Sequence, residues 1–263
     1  SVGFGGQKKG GVIGSQQSIK ATEIKNPVRN LTTSLGGRIA GLVSVQRKGE
    51  PGFDDATIYI RGISTLTASM SAPLPLVDGV PRSFSAVDPE DIESFTILKD
   101  ASATAVYGVR GANGVILITT KGGTAGKPKF NIRYSEGLTQ LTRLPEFANG
   151  PTYMRMANEA FLTRGGAFDQ KPYSDDEIQW TADGTDPYMY PNVDWFDEIF
   201  KDFGRNRSAN ANISGGSESA IYYIGLGYYD EDGLYKNEGI QNYNADTYYR
   251  RYNVTSNITL KPT

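Results

Sequence analysis

The 263-residue sequence predicts a small α+β domain with a mixed sheet, followed by antiparallel transmembrane β-barrel strands that form an incomplete barrel in this chain. Three observations carry that reading. Up to residue 123, short apolar runs alternate with short helical candidates. From residue 129 onward the hydrophobic period changes to two. No run of about 18 apolar residues occurs, which excludes a membrane-spanning helix and leaves a β-barrel as the other backbone that satisfies its hydrogen bonds in lipid.

In the first part, apolar runs at residues 42–45, 57–60, 74–77, 95–98 and 115–119 are strand candidates, and residues 31–39 and 101–107 are helix candidates. Asp78-Gly79 and Asn113-Gly114 supply residues that tolerate positive φ between strands. Asp100 stands at an N-cap position ahead of residues 101–107, and Gly108 is placed to stop that helix. The Gly-rich stretch 122–128, closed by Pro128, reads as a linker.

The second part alternates strictly. Phe130, Ile132, Tyr134 and Leu138 share one face, broken only by Glu136, while Asn131, Arg133, Ser135 and Thr139 share the other. Ala209, Ala211 and Ile213 alternate with Ser208, Asn210, Asn212 and Ser214. Next come Tyr222, Ile224, Leu226 and Tyr228 against Tyr223, Gly225, Gly227 and Tyr229. Last come Tyr248, Tyr252, Val254, Ile258 and Leu260 against Arg251, Asn253, Thr255, Asn257 and Thr259. One face suits hydrocarbon and the other a wet lumen. A tight turn around Gly216-Ser217-Glu218 alternates with long connections, so the turn belongs in the periplasm and the long loops outside. Nine of the sixteen tyrosines fall between Tyr222 and Tyr252, which places an interfacial girdle near the outer strand ends. Within the first long loop, Pro151 opens an amphipathic helix ending near Gly165, and residues 194–200 form a second short turn of helix.

Composition excludes much chemistry. With no histidine and no cysteine there is no Ser-His-Asp triad, His-ligated metal, disulfide or thiolate site, and no cofactor is expected. A net charge of −2 with interspersed signs gives no footprint for nucleic acid. The Gly-rich segments lack phosphate-loop spacing, and the acidic clusters at Asp54-Asp55, Asp175-Asp176-Glu177 and Asp230-Glu231-Asp232 lack calcium-loop spacing. Five Asn-x-Ser/Thr sequons, three with Asn on a predicted lumen face, read as small polar residues lining a barrel. The N-terminal Ser1-Val2-Gly3-Phe4-Gly5 has no signal-peptide pattern, as expected of a mature or internally cut chain.

Residues 75–123, PLVDGVPRSFSAVDPEDIESFTILKDASATAVYGVRGANGVILITTKGG, together with Ile60-Arg61-Gly62, Asn192-Val193-Asp194-Trp195 and Gly215-Gly216-Ser217, resemble SusC/RagA-type TonB-dependent outer-membrane transporters. The resemblance implies a region at or after the TonB box at residues 1–10, a plug at 11–123, a linker at 124–128, and the first four barrel strands within 129–263, with a long external loop at 143–206. It implies TonB-dependent import of oligosaccharides or peptides across the outer membrane of Bacteroidota, without enzymatic activity. The implied partners are TonB energised by ExbB-ExbD, a SusD-like surface lipoprotein lid, a glycan or peptide substrate, and outer-membrane lipid. Val2, Gly3, Phe4 and Gly5 are the TonB-proximal candidates. Ser64, Thr65, Thr67, Ser69 and Ser71 are the substrate-facing loop candidates. Arg61 and Arg110 are candidates to lock plug to barrel, because a charge held there needs a partner. The alternatives are a receptor for metal chelates or cobalamin, and a soluble glycan-binding β module. A plugged barrel of this class has about 22 strands, and only 135 residues follow Pro128. The expectation is therefore a fragment, a split subunit or an assembly intermediate.

Overall fold

The computed structural model describes residues 16–20, 30–62, 72–83, 85, 87–99, 105–237 and 246–260. The chain divides into two units, one holding the α+β domain and the strand wall, the other residues 139–204 and 234–246.

The α+β domain is built on a mixed five-stranded sheet of order β1-β6-β7-β4-β5, from β1 (Gln16–Lys20), β4 (Leu74–Val77), β5 (Val80–Pro81), β6 (Ile92–Leu98) and β7 (Val115–Thr120). Only the β4–β7 pairing is parallel, with Leu76 beside Leu117. Both sheet faces are buried, which is why the strands read as continuous apolar runs instead of alternating. On one face Val77, Phe95, Ile97, Ile116 and Ile118 pack with Leu31, Leu35 and Ile58. On the other, Leu76, Leu98, Val115 and Leu117 gather with Tyr107. A separate hairpin, β2 (Leu42–Gln46) with β3 (Ala56–Ile60), brings Leu42, Ile58 and Ile60 to the first core.

Asp78 (φ 50) and Gly79 (φ 83) make the β4–β5 turn, as their chemistry predicts. The Asp78 carboxylate also accepts from Thr120 N at 2.9 Å and Thr120 Oγ1 at 2.7 Å, tying the turn to the end of β7. The helix expected over residues 31–39 shrinks to α1 (Leu31–Ser34), capped by Asn30, because Gly36 and Gly37 follow and Gly37 takes φ 72. Asp100 and residues 101–104 lie outside the described residues. Ala105–Gly111 is a 3-10 segment that Gly108 breaks at φ 59, ψ −149.

The wall is one antiparallel sheet of order β11-β10-β9-β8, from β8 (Gly126–Thr139), β9 (Gly204–Gly216), β10 (Ala220–Asp232) and β11 (Tyr248–Leu260). β8 begins inside the stretch read as a linker. Pro128 lies near the start of this strand. Ser217 N donates to Ala220 O at 2.7 Å in the tight β9–β10 turn. The outward face is as the alternation predicts: Ile132 is 81% exposed and Val254 76%, whereas Tyr223 on the opposite face is 2% exposed.

The second unit carries α2 (Gly150–Thr163), α3 (Asp175–Asp183) and α4 (Trp195–Ile199). Asn149 caps α2 and Pro151 sits in its first turn. α3 starts at a reciprocal capping box between Ser174 and Glu177, so the acidic run weighed for calcium is a helix N-terminus. Its two bonds from Ser174 hold the Glu177 carboxyl below the usual range. Phe147, Phe196, Phe200 and Tyr235 form a chain of ring contacts, with centroids 5.1 to 5.8 Å apart.

Candidate functional site

The turn Asp88-Pro89-Glu90-Asp91 projects from the α+β domain onto the inner face of the wall. Asp88 caps it, accepting from Glu90 N at 2.9 Å, and Pro89 fixes the first helical position. Lys121 N donates to Asp91 O at 2.7 Å, anchoring the turn to the exit of β7.

Each side chain of this turn has a seat prepared for it. Asp91 accepts from Tyr223 OH at 2.7 Å and Thr255 Oγ1 at 2.5 Å. Asp88 accepts from Asn210 Nδ2 at 2.7 Å. Glu90 meets Arg133 Nη1 at 2.5 Å, and Asn257 Nδ2 donates to both Thr120 Oγ1 and Lys121 O at 2.8 Å. Between these donors, β10 presents Gly225 and Gly227. A Cβ added to Gly225 would collide with Asp91 Oδ1, and one added to Gly227 with Asp88 Oδ2. The two glycines therefore leave the room that the two carboxylates occupy.

Asp88 and Asp91 are buried and held by uncharged donors, while Arg251 gives its Nη1 to Ser85 O at 3.2 Å. Burial, helped by the neighbouring Asp91 charge, raises the Asp88 carboxyl above its ordinary value, against the opposing pull of Glu90 N, Arg251 and Asn210. Arg251 Nε is buried without an acceptor among the described residues. Beside this cluster lies a polar cavity of about 290 Å³ lined by Asn30, Asp55, Ser85, Tyr249, Arg251 and Asn253.

Arg61 is exposed on the α+β domain in a left-handed conformation (φ 62), with its N–H on Gly41 O at 2.8 Å. Arg110 is exposed in the 3-10 segment. The structure brings neither into the seat, where the domain supplies carboxylates and the wall supplies donors. Ser64, Thr65, Thr67, Ser69 and Ser71, and Val2, Gly3, Phe4 and Gly5, lie outside the described residues. Sequence reasoning passed over Asp88, Asp91, Tyr223 and Thr255. The available signal was the pair of glycines on the lumen face of a strand otherwise rich in tyrosine.

Residues 8–115 match the TonB-dependent Receptor Plug Domain. The chain is 34% identical to TonB-dependent receptor P26 of Formosa agariphila over 92% of its own length and 24% of that protein's. It is 35% identical to TonB-dependent receptor SusC of Bacteroides thetaiotaomicron over 93% of its length and 23% of that protein's. Its fold superposes on the RagAB peptide importer in the "open-open" state with a TM-score of 0.77 and 27% identity, covering the whole of this chain and 30% of that one. Residues 8–115 are a TonB-dependent receptor plug, and the chain as a whole is similar to SusC-like TonB-dependent receptors. It spans about a quarter of the length of the curated relatives. The α+β domain is the receptor plug and β8 to β11 are antiparallel wall strands that do not close a barrel by themselves. Receptors of this kind lie in the bacterial outer membrane. The seat described above is where plug meets wall.

Proposed function

We propose that the protein containing this chain imports oligosaccharides or peptides across the outer membrane, energised by TonB with ExbB-ExbD and served by a SusD-like lipoprotein lid. The observation that carries the gating part is the fit of Asp88 and Asp91 into the glycine gaps of β10, a closed plug held by a few specific bonds. In this reading Val2, Gly3, Phe4 and Gly5 lie next to the TonB contact, and Ser64, Thr65, Thr67, Ser69 and Ser71 face the external cavity. Arg61 and Arg110 meet carboxylates on the inner barrel wall and help lock the plug.

The test is growth and labelled-substrate uptake by cells expressing the full-length protein with and without TonB, on defined oligosaccharides and peptides. Uptake that requires both TonB and the receptor supports the reading, and the preferred substrate names the class. Uptake unchanged by loss of TonB refutes it.

A further inference from the structure

The outward face of the wall is apolar along most of its length, yet one level of it carries five charged side chains. Glu136 on β8 lies 3.2 Å from Arg205 Nε and 3.8 Å from Arg207 Nε on β9. Arg207 Nη1 reaches Asp230 on β10 at 4.0 Å, and Arg250 Nε on β11 donates to Asp230 at 2.8 Å. These residues share the face of Ile132, Leu226 and Val254, since Asp230 pairs across the ladder with Arg207 and Arg250, two residues beyond the Tyr228, Ala209 and Tyr252 row. The result is a belt running across all four strands.

Its height identifies its surroundings. Arg250 to Leu260 is ten residue steps, about 33 Å along a strand at ~3.3 Å per residue, or about 25 Å along the membrane normal at a tilt of about 40°. That equals the usual apolar band of an outer-membrane barrel, about 25 Å. The belt stands at the end from which the long connections leave, so it lies at the external headgroup level. Tyr134, whose OH donates to Glu136 at 3.1 Å, and Tyr248, under the Arg250 guanidinium at 5.0 Å, mark the same interface.

The belt has three guanidinium groups and two carboxylates. Arg205 and Arg250 meet their acidic partners through Nε, remain about half exposed, and have no Nη hydrogen bond to an acidic group among the described residues. At that depth such donors need acceptors, and a phosphate takes them two at a time. We propose that Arg205, Arg207 and Arg250 form a clamp for the phosphate groups of anionic lipid headgroups in the external leaflet. Glu136 and Asp230 space the arginines and keep them upright. The clamp holds whatever substrate the receptor carries.

The test uses full-length receptor extracted from native outer membrane in mild detergent. Retained phosphorylated lipid is counted by native mass spectrometry, and binding is repeated with phosphatidylcholine liposomes containing lipid A, with inorganic phosphate as competitor. R205Q/R250Q lowers retained lipid by about tenfold or more while heat-modifiable migration shows the barrel folded. R205K/R250K, which keeps the charge, serves should that variant misfold, and loses part of the retention with the forked geometry. E136Q separates the clamp from a purely internal ion-pair belt: it frees Arg205 and retains or gains lipid. Loss of lipid in E136Q to the same degree as in R205Q/R250Q, no loss in either arginine variant, or full displacement by inorganic phosphate each overturns the proposal.

Discussion

The two faces of β10 follow one alternation and treat charge in opposite ways. On the inner face, two buried plug carboxylates are held by a phenol, a hydroxyl and an amide, with glycine leaving them space. On the outer face, Asp230 is held by guanidinium groups. Burying a carboxylate without a direct counter-ion is expensive and is tolerated only while every donor stays in place. The inner contact is thus geometrically demanding and releasable. The outer one is an electrostatic belt that survives small displacements.

Substitutions can break this contrast. The largest effect is expected from a charge placed in the apolar band: Leu226→Arg on the outer face should cost about 2–4 kcal/mol of barrel stability, read by urea unfolding in liposomes. Gly225→Ala on the inner face leaves the outer face intact but overpacks the seat, at about 1–3 kcal/mol. It should make the plug protease-sensitive and the cell permeable to large antibiotics. Adding Asp91→Ser, which withdraws the colliding oxygen, should restore resistance, and an additive double variant would show that the seat is not the cause. Tyr223→Phe removes one bond to a charged acceptor, worth about 1.5–3 kcal/mol, whereas Tyr228→Phe on the outer face should be close to neutral by the same protease assay.

The smallest effect concerns pH. Burial raises the Asp88 carboxyl above its ordinary 3.8, so the seated plug binds that proton more tightly than a released plug does. Its favourable contribution is fully present below the ordinary value and is lost as pH rises through the seated value. Asp88→Asn should flatten this dependence of plug release, measured by protease accessibility across the acidic range. An unchanged slope would remove Asp88 from the linkage.

The wall was legible because one face of each strand meets a uniform solvent, so period two survives in the sequence from Phe130 to Leu260. The plug strands were legible as apolar runs because both faces are covered. β1 was not: Gln16–Lys20 holds a single apolar residue, Ile19, and becomes a strand only by pairing with β6. α3 begins at the Ser174 and Glu177 capping box, a signal that sits inside the acidic run tested only for calcium-loop spacing. The seat was illegible for a different reason. Asp91 and Tyr223 stand 132 positions apart, and no local pattern encodes which buried carboxylate meets which hydroxyl.

The plug sheet is fastened unequally at its ends. Residues 121–125 join β7 to β8, a tether of about 20 Å at full stretch given ~3.5 Å per step, and Gly123 lies directly on the backbone of Tyr222. β1, at one rim of the sheet, is held among the described residues by its five-rung ladder to β6, the Thr96 to Ser18 side-chain bond and the burial of Ile19. A pull transmitted from the N-terminal side would unzip β1 rung by rung, while the C-terminal side stays moored to the wall. A passage opened in this way would lie along the newly bared flank of β6, and the tether would return the plug to its berth.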